Sequence, residues 1–280
     1  MESRKVNADL HNHLKTDSDM STLSFNEVID TARERLGEGG ILGITNFNDE
    51  RYEQFFGLEG YERIDLGSGF YVPEKDILVV KGQKVPTKQG HLLVLGVPAG
   101  ECIKPYRDIE EIIEDAYDAG GITILDHLFH LQGLGSYFEQ KPEFCDCIDA
   151  VEVHNSEAEL WIPCLMPRNA NGKARKFYES VRDDSPKLGN VLSSDGHSLD
   201  EIGRSYTTLD MPSYDEIETG DGLVECLRLA IRAHRDYEGK MGSSRMAAFQ
   251  HTTILVWYNL KEIYQKIADY ITNITRKFFG

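Results

Sequence analysis

The sequence predicts an α/β fold, a barrel in preference to an open sheet, followed by a helical extension. Three observations carry this. From the start to about residue 210, short apolar runs alternate with longer helical patterns, the signature of βα units and a parallel sheet. Histidines follow directly on several of those runs, which suits a barrel whose strand ends build one mouth. After residue 210 the character turns helical. The expected division is therefore 1–210 for the barrel and 211–280 for an extension packed on it.

The strand candidates are VNADL (6–10), ILGIT (41–45), ILVVKG (77–82), HLLVLGV (91–97), ITILDH (122–127), DAVEV (149–153) and NVLSS (190–194). Helical patterns lie near 24–36, 108–119 and 170–182, with Ser24 and Asp108 as N-caps and Gly37 and Gly120 as stops. The segment 46–76, rich in Tyr, Phe and Gly, reads as a short helix and a loop. Two further helices are expected, near 221–237 and from about 246 to 278. In the second, Leu260, Ile263, Tyr264, Ile267, Tyr270, Ile271 and Ile274 form one apolar stripe. Gly239, Gly242, Ser243 and Ser244 mark a hinge before it. No GxGxxG follows the first strand and no GxxxxGK[ST] occurs, so dinucleotide and P-loop chemistry are not indicated.

A chain of 280 residues with 40% hydrophobic and 28% charged residues has the composition of a folded globular protein. Its formal net charge of -17 argues against a general nucleic-acid coat, since non-specific phosphate binding needs a positive surface. No run approaches the length that spans a bilayer, and MESRKVNADLHNH lacks the apolar core of a signal peptide, so a cytoplasmic protein is expected. Cys102, Cys145, Cys147, Cys164 and Cys226 show no CxxC pairing and read as free thiols.

Seven of the nine histidines lie between residues 11 and 197. His11 and His13 are two apart at the end of the first strand, so both rings can face one cation. Asp195 and His197 repeat that spacing after the last strand, joining a hard carboxylate to an imidazole in a set that suits zinc, manganese or iron. His91 opens one strand and His127 closes another. Four such positions at strand ends point to a metal site at the barrel mouth.

This order of motifs resembles the PHP (polymerase and histidinol phosphatase) family over residues 8 to 209. DLHNH is similar to the family's opening DLHxH motif, GHLLVLG to its third histidine motif, DH at 126–127 to its strand-end motif and SDGH to its closing SDxH motif; DAVEVHN (149–155) and GRSYTTL (203–209) also resemble family runs. The resemblance implies a distorted seven-stranded (β/α) TIM-like barrel holding one to three divalent ions that activate water for phosphoester cleavage. Carried across, His11, His13 and Asp195 would bind a first ion, His197 and an acidic residue of TDSD a second, and His91 and His127 a third. Asp19 is preferred in TDSD, with Asp17 the competitor. Proton transfer would fall to His197 or Asp195.

Two departures from the family pattern matter. Where the family has TDH this chain has TNF, placing Phe47 at a ligand position; where it has GxE this chain has GQK, placing Lys84 at a bridging carboxylate. Phe47 is expected to pack against the ligands and close the second site. Lys84 is expected as a bare ammonium paired with Asp195 or Asp19, in preference to a carboxylated lysine bridging two ions. The outcomes are a reduced site on His11, His13 and Asp195, a rearranged site using Asp49, Glu152, His130 or His154, or a catalytically reduced binding or regulatory module. Lys15, Arg51, Lys84 and Arg204 are the candidate phosphate-binding cations. The expected activity is hydrolysis of a small phosphomonoester, a nucleotide or a nucleic-acid end, with hydrolysis at carbon as a more distant reading. The C-terminal helix leaves a homo-oligomer or a protein partner open.

Overall fold

In a computed structural model, the described residues are 3–14, 24–160, 167–214, 220–246 and 249. Its strands are β1 (Ser3–Asn12), β2 (Gly40–Ile44), β3 (Ile64–Asp65), β4 (Gly69–Val72), β5 (Ile77–Pro86), β6 (His91–Leu95), β7 (Ile122–Leu125), β8 (Ala150–Asn155), β9 (Gly189–Ser193), β10 (Tyr206–Pro212) and β11 (Gly239–Lys240). The helices are α1 (Phe25–Leu36), α2 (Glu50–Phe56), α3 (Ile109–Asp118), α4 (Gly135–Gln140), α5 (Ala170–Val181) and α6 (Gly220–Ala233). Each of the seven expected strands is present.

Those seven strands, in the order β1, β2, β5, β6, β7, β8 and β9, make a nearly closed barrel. Closure occurs where Asn12 bridges Gly196 in parallel and the His13 amide donates to the Gly196 carbonyl at 2.7 Å. The lower part of this seam is filled by β10, which pairs antiparallel with β1 and whose Thr207 hydroxyl accepts from the Leu192 amide. The fold is thus the expected α/β barrel. Among the seven barrel strands the expected parallel order is corrected at one strand: β6 runs antiparallel to both β5 and β7. A four-residue connection, 87–90, is too short for a parallel crossover and forces a hairpin. As a result His91, the first residue of β6, lies opposite Pro86, the last residue of β5, and belongs to the mouth.

Helix α1 shows how local sequence sets an element. Phe25, Val28, Ile29, Ala32 and Leu36 are buried at spacings of three and four, the Ser24 hydroxyl accepts from the Glu27 amide, and Gly37 stops the helix at φ +83°. Asp108 is the expected cap that does not cap; its carboxylate pairs with Lys88 at 2.8 Å, and Gln89 accepts from the Ile109 amide instead. The 46–76 segment holds the expected short helix, α2, and also the unexpected hairpin of β3 and β4, the latter pairing with β5.

Inside the barrel, Ala8, Leu10, Ile41, Val80, Leu93, Ile124 and Val191 cluster with Leu223, Leu227 and Ile231 of α6, which covers this core. Two outer clusters fill the space under the surface helices, one with α1 and α2 and the other with α3 and α5. One compact unit runs as far as Ser244. The residues of the expected hinge are held in it: the Gly242 amide donates to Ser205 and the Ser244 amide to Ser156. The apolar stripe expected from 246 to 278 lies outside the described residues, Met246 and Phe249 apart. No helix among the described residues is long and apolar enough to cross a membrane.

Candidate metal centre

The site begins with a bulge. Between Asp9 and Asn12, β1 carries one residue more than β2, and a bulge exchanges the faces of a strand. Val6, Ala8 and Leu10 point to the interior core, and after the bulge His11 and His13 point inward too. Gly43 makes the bulge feasible, since a Cβ there would lie 2.4 Å from the Leu10 carbonyl oxygen. A second bulge, between Glu152 and His154 in β8, has the opposite consequence. Glu152 stays at the mouth, while His154 turns away to contact the Gly242 carbonyl at 2.8 Å and the Asn171 amide.

Two imidazoles meet at Asp195. The Nε2 atoms of His11 and His13 lie 3.1 and 3.2 Å from Asp195 Oδ1, all three residues being buried. On its other side, His11 Nδ1 meets Glu152 Oε1 at 3.0 Å, which fixes the ring and aims Nε2 at the mouth. Glu152 Oε2 accepts from the His127 amide and from Asn155 Nδ2, and Asn155 also donates to Asp195 Oδ2, leaving Oδ1 directed at the two imidazoles. Asp195 adopts φ +51° and His127 φ +27°, left-handed conformations that cost a non-glycine residue energy and concentrate at functional sites.

A second group joins His91, Asp126 and His127, all buried, with their nearest ligand atoms within 4.8 Å of one another. His130 adjoins it, its ring centre 6.1 Å from that of His127. A third group shares Asp195 with His197 and Glu157; His197 Nδ1 is 2.9 Å from the Asp195 carbonyl oxygen and 3.4 Å from Glu157, and its ring stacks on His13 at 4.6 Å. Between the first two groups stands Lys84, 7% exposed, with Nζ 3.7 Å from Asp195 and 3.8 Å from Asp126. Of the two partners expected for it, Asp195 is present; Asp19 lies outside the described residues, as do Asp17 and Lys15.

Charge in this cluster is set by burial and by mutual contact. Burial opposes the Lys84 ammonium, but Asp195, Asp126 and Glu152 outweigh it and raise its pKa. Burial likewise opposes the Asp195 carboxylate, yet His11 and Lys84 hold its pKa well below the usual range. Asp126 is pushed up to about 6 by burial, partly countered by Lys84. His91 falls to about 4, through burial and then the Lys84 charge. A lysine that stays charged has no nucleophilic lone pair for carbon dioxide.

Of the remaining candidates, Phe47 is 54% exposed, with its ring centre 6.2 Å from that of His13 and 5.8 Å from that of His91. The expectation that it packs against the ligands is met along one side only. Arg51 lines the same cleft as His13, Lys84 and His197. Arg204 does not join them: its side chain is exposed and its Nε donates to the Asp200 carbonyl. Asp49 turns to Lys81, 3.8 Å away, which removes it from the replacement ligands. Cys145 is buried in the core and Cys147 is exposed elsewhere, as free thiols. Sequence reading passed over Asp126, although it precedes His127 in the quoted DH pair, and over Glu157.

No family model matches the chain, and no curated protein matches it. Solved structures do match. PsfC from Pseudomonas syringae PB-5123 is 12% identical with a TM-score of 0.55, over 90% of this chain and 98% of that one. The lesion-specific endonuclease PfuEndoQ from Pyrococcus furiosus is 18% identical with a TM-score of 0.53, over 84% of this chain and 58% of that one. An endonuclease Q bound to a 27-mer duplex substrate with an abasic lesion at its active site is also 18% identical, with a TM-score of 0.50. These likenesses show the fold. The chain spans 58% of the length of the endonuclease Q chains.

Whether the residues present suit a metal ion is decided by their hydrogen bonding. His11 Nε2, His13 Nε2 and Asp195 Oδ1 make no hydrogen bond although all are buried, and the same holds for His91 Nδ1, His127 Nδ1, His130 Nε2 and both Asp126 oxygens. Each such atom costs about 1–3 kcal/mol when left unsatisfied. Their concentration at one mouth, in an imidazole and carboxylate set, fits zinc, manganese or iron.

Proposed function

We propose that the chain is a metal-dependent phosphoesterase of PHP type, acting on a small phosphomonoester, a nucleotide or a nucleic-acid end. The observation that carries this reading is the convergence of buried imidazole and carboxylate atoms without hydrogen bonds on one barrel mouth. His11, His13 and Asp195 would hold the best-defined ion, His91, Asp126 and His127 a second, and His197 with Glu157 would border the first. A bound divalent ion would supply positive charge that lowers the pKa of water and neutralises phosphoryl oxygens. Glu152 and Asn155 orient the ligands, Lys84 and Arg51 offer charge to the phosphate, and His197 or Asp195 moves the proton. The endonuclease Q likeness brings a nucleic-acid phosphodiester into range. The net charge of -17 favours a nucleotide or a strand end over a long duplex.

A second reading, a catalytically reduced binding module, is favoured by one observation: Lys84 already supplies a positive charge between Asp126 and Asp195. Metal content after mild purification, followed by hydrolysis of an aryl phosphate with added manganese or zinc, separates the two. Bound metal with turnover supports the phosphoesterase. Protein that stays metal-free and inactive supports the module.

A further inference from the structure

The cleft beside the metal centre has a volume of about 300 Å³, and its lining includes His13, Phe47, Glu50, Arg51, Lys84 and His197. It sits at the small end of the range for ligand pockets, roughly 300–1,000 Å³. One of its walls is apolar and exposed: the Phe47 ring, more than half open to solvent, in a cleft otherwise polar, with Lys84 and Arg51 as cations and Glu50 as a carboxylate. That exposure is not looseness of the chain. The Phe47 carbonyl accepts from Gln83 Nε2, and Gln83 is itself tied to the Ile103 backbone through both ends of its amide. The preceding Asn46 is pinned as firmly, its side chain exchanging two hydrogen bonds with the Leu14 backbone and its carbonyl accepting from the Lys84 amide. A rigid backbone therefore holds a large apolar face toward water, next to two cations and above the ligand histidines.

We propose that this cleft takes the planar base of a nucleoside phosphoester, stacked on Phe47, with its phosphate toward Lys84 and Arg51. This rests on the phosphoesterase reading and narrows its substrate class. An aromatic face stacks on any base, and base stacking on such platforms is tolerant of sequence. Charge and shape agree: the cations suit a phosphate, and the ring stands between His13 of the first ligand group and His91 of the second. Phe47, lost to metal binding, is a specificity residue.

The test compares binding of adenosine 5′-monophosphate and glycerol phosphate by titration calorimetry, in wild type, Phe47→Ala and Phe47→Tyr, with hydrolysis of both followed separately. Wild type is expected to bind the nucleotide about tenfold more tightly. Phe47→Ala should weaken nucleotide binding about tenfold and glycerol phosphate binding less than twofold, while Phe47→Tyr keeps the preference. Absence of a preference in wild type, or an equal loss of both ligands in Phe47→Ala, overturns the inference. Hydrolysis of both esters without a preference in binding refutes the base site and leaves the phosphoesterase standing; a preference that depends on Phe47 without any hydrolysis supports the base site and refutes the phosphoesterase.

Discussion

Lys84→Met removes the ammonium that stands between Asp126 and Asp195. At 3.7 and 3.8 Å, each of these contacts carries a Coulomb attraction of about 4 kcal/mol if the effective dielectric is about 20. Burial of the ammonium consumes part of that gain, so the expected loss is the cost of stranding buried carboxylates, about 3–5 kcal/mol. Urea unfolding in EDTA, followed by circular dichroism, measures it. Manganese or zinc should restore much of the loss, because a cation bound at a hundred times its dissociation constant contributes about 2.7 kcal/mol to the folded state. The variant should therefore gain more from the ion than wild type does. Equal midpoints for the two proteins in EDTA, or equal gains on adding the ion, would refute the idea that Lys84 stands in for a metal charge.

His11→Ala should cut bound metal strongly, read by mass spectrometry of the purified protein; unchanged metal and activity would sink the assignment of the first site. Phe47→His combined with Lys84→Glu introduces an imidazole and a carboxylate and should raise metal stoichiometry, and a folded double variant with unchanged stoichiometry counts against the role proposed for both residues. Asp9 is buried where its oxygens accept from the Ser194 and Gly203 amides, and burial pushes its pKa from the ordinary 3.8 up to about 6. The protonated form is thus preferred in the fold, so its contribution is complete below about pH 4 and is lost as pH rises through 6, a fall of roughly 3 kcal/mol. Asp9→Asn should make the fall in stability between pH 4 and 6 in EDTA shallower, Asp126 keeping its own share, and a profile parallel to wild type would contradict this.

The seven barrel strands were legible because each is a run of buried apolar residues bounded by turn residues, and buried strands leave no other pattern. Strand direction was not, since hydropathy is the same read either way; only the length of the 87–90 connection could have shown that β6 turns back. The β3 and β4 hairpin escaped because Ile64 and Asp65 are exposed and Gly69 lowers the apolar density. In the site, the HxH and DxH pairs were readable from spacing alone. Glu152 was readable as a candidate ligand but not as the partner of His11 Nδ1 and of the His127 amide, because contacts across β1, β7 and β8 depend on closure of the barrel. Asp126 had a usable signal, a carboxylate beside a histidine at a strand end. His154 misled for a physical reason: the β8 bulge reverses its face, and no spacing in the chain records a bulge.

Set against the PHP pattern that the sequence resembles, Phe47 and Lys84 make one coherent change when charge is considered. Asp126, Glu152 and Asp195 are three fully or almost fully buried carboxylates at the mouth, and burial of net charge is the largest electrostatic cost a site can carry. With neutral imidazoles, one divalent ion and the Lys84 ammonium together neutralise all three. A glutamate at position 84 would add a fourth negative charge and demand two divalent ions. Phe47 removes a ligand that would have held one of them, so the loss of the ligand and the gain of the cation compensate each other. Lys84 alone, with two ions still held, would leave two positive charges in excess, and Phe47 alone, beside a glutamate at 84, would leave one ion with too few ligands. On the proposed phosphoesterase reading, a phosphate dianion entering the cleft would allow a further cation to bind with it, and the substrate itself would enter the charge balance of the mouth.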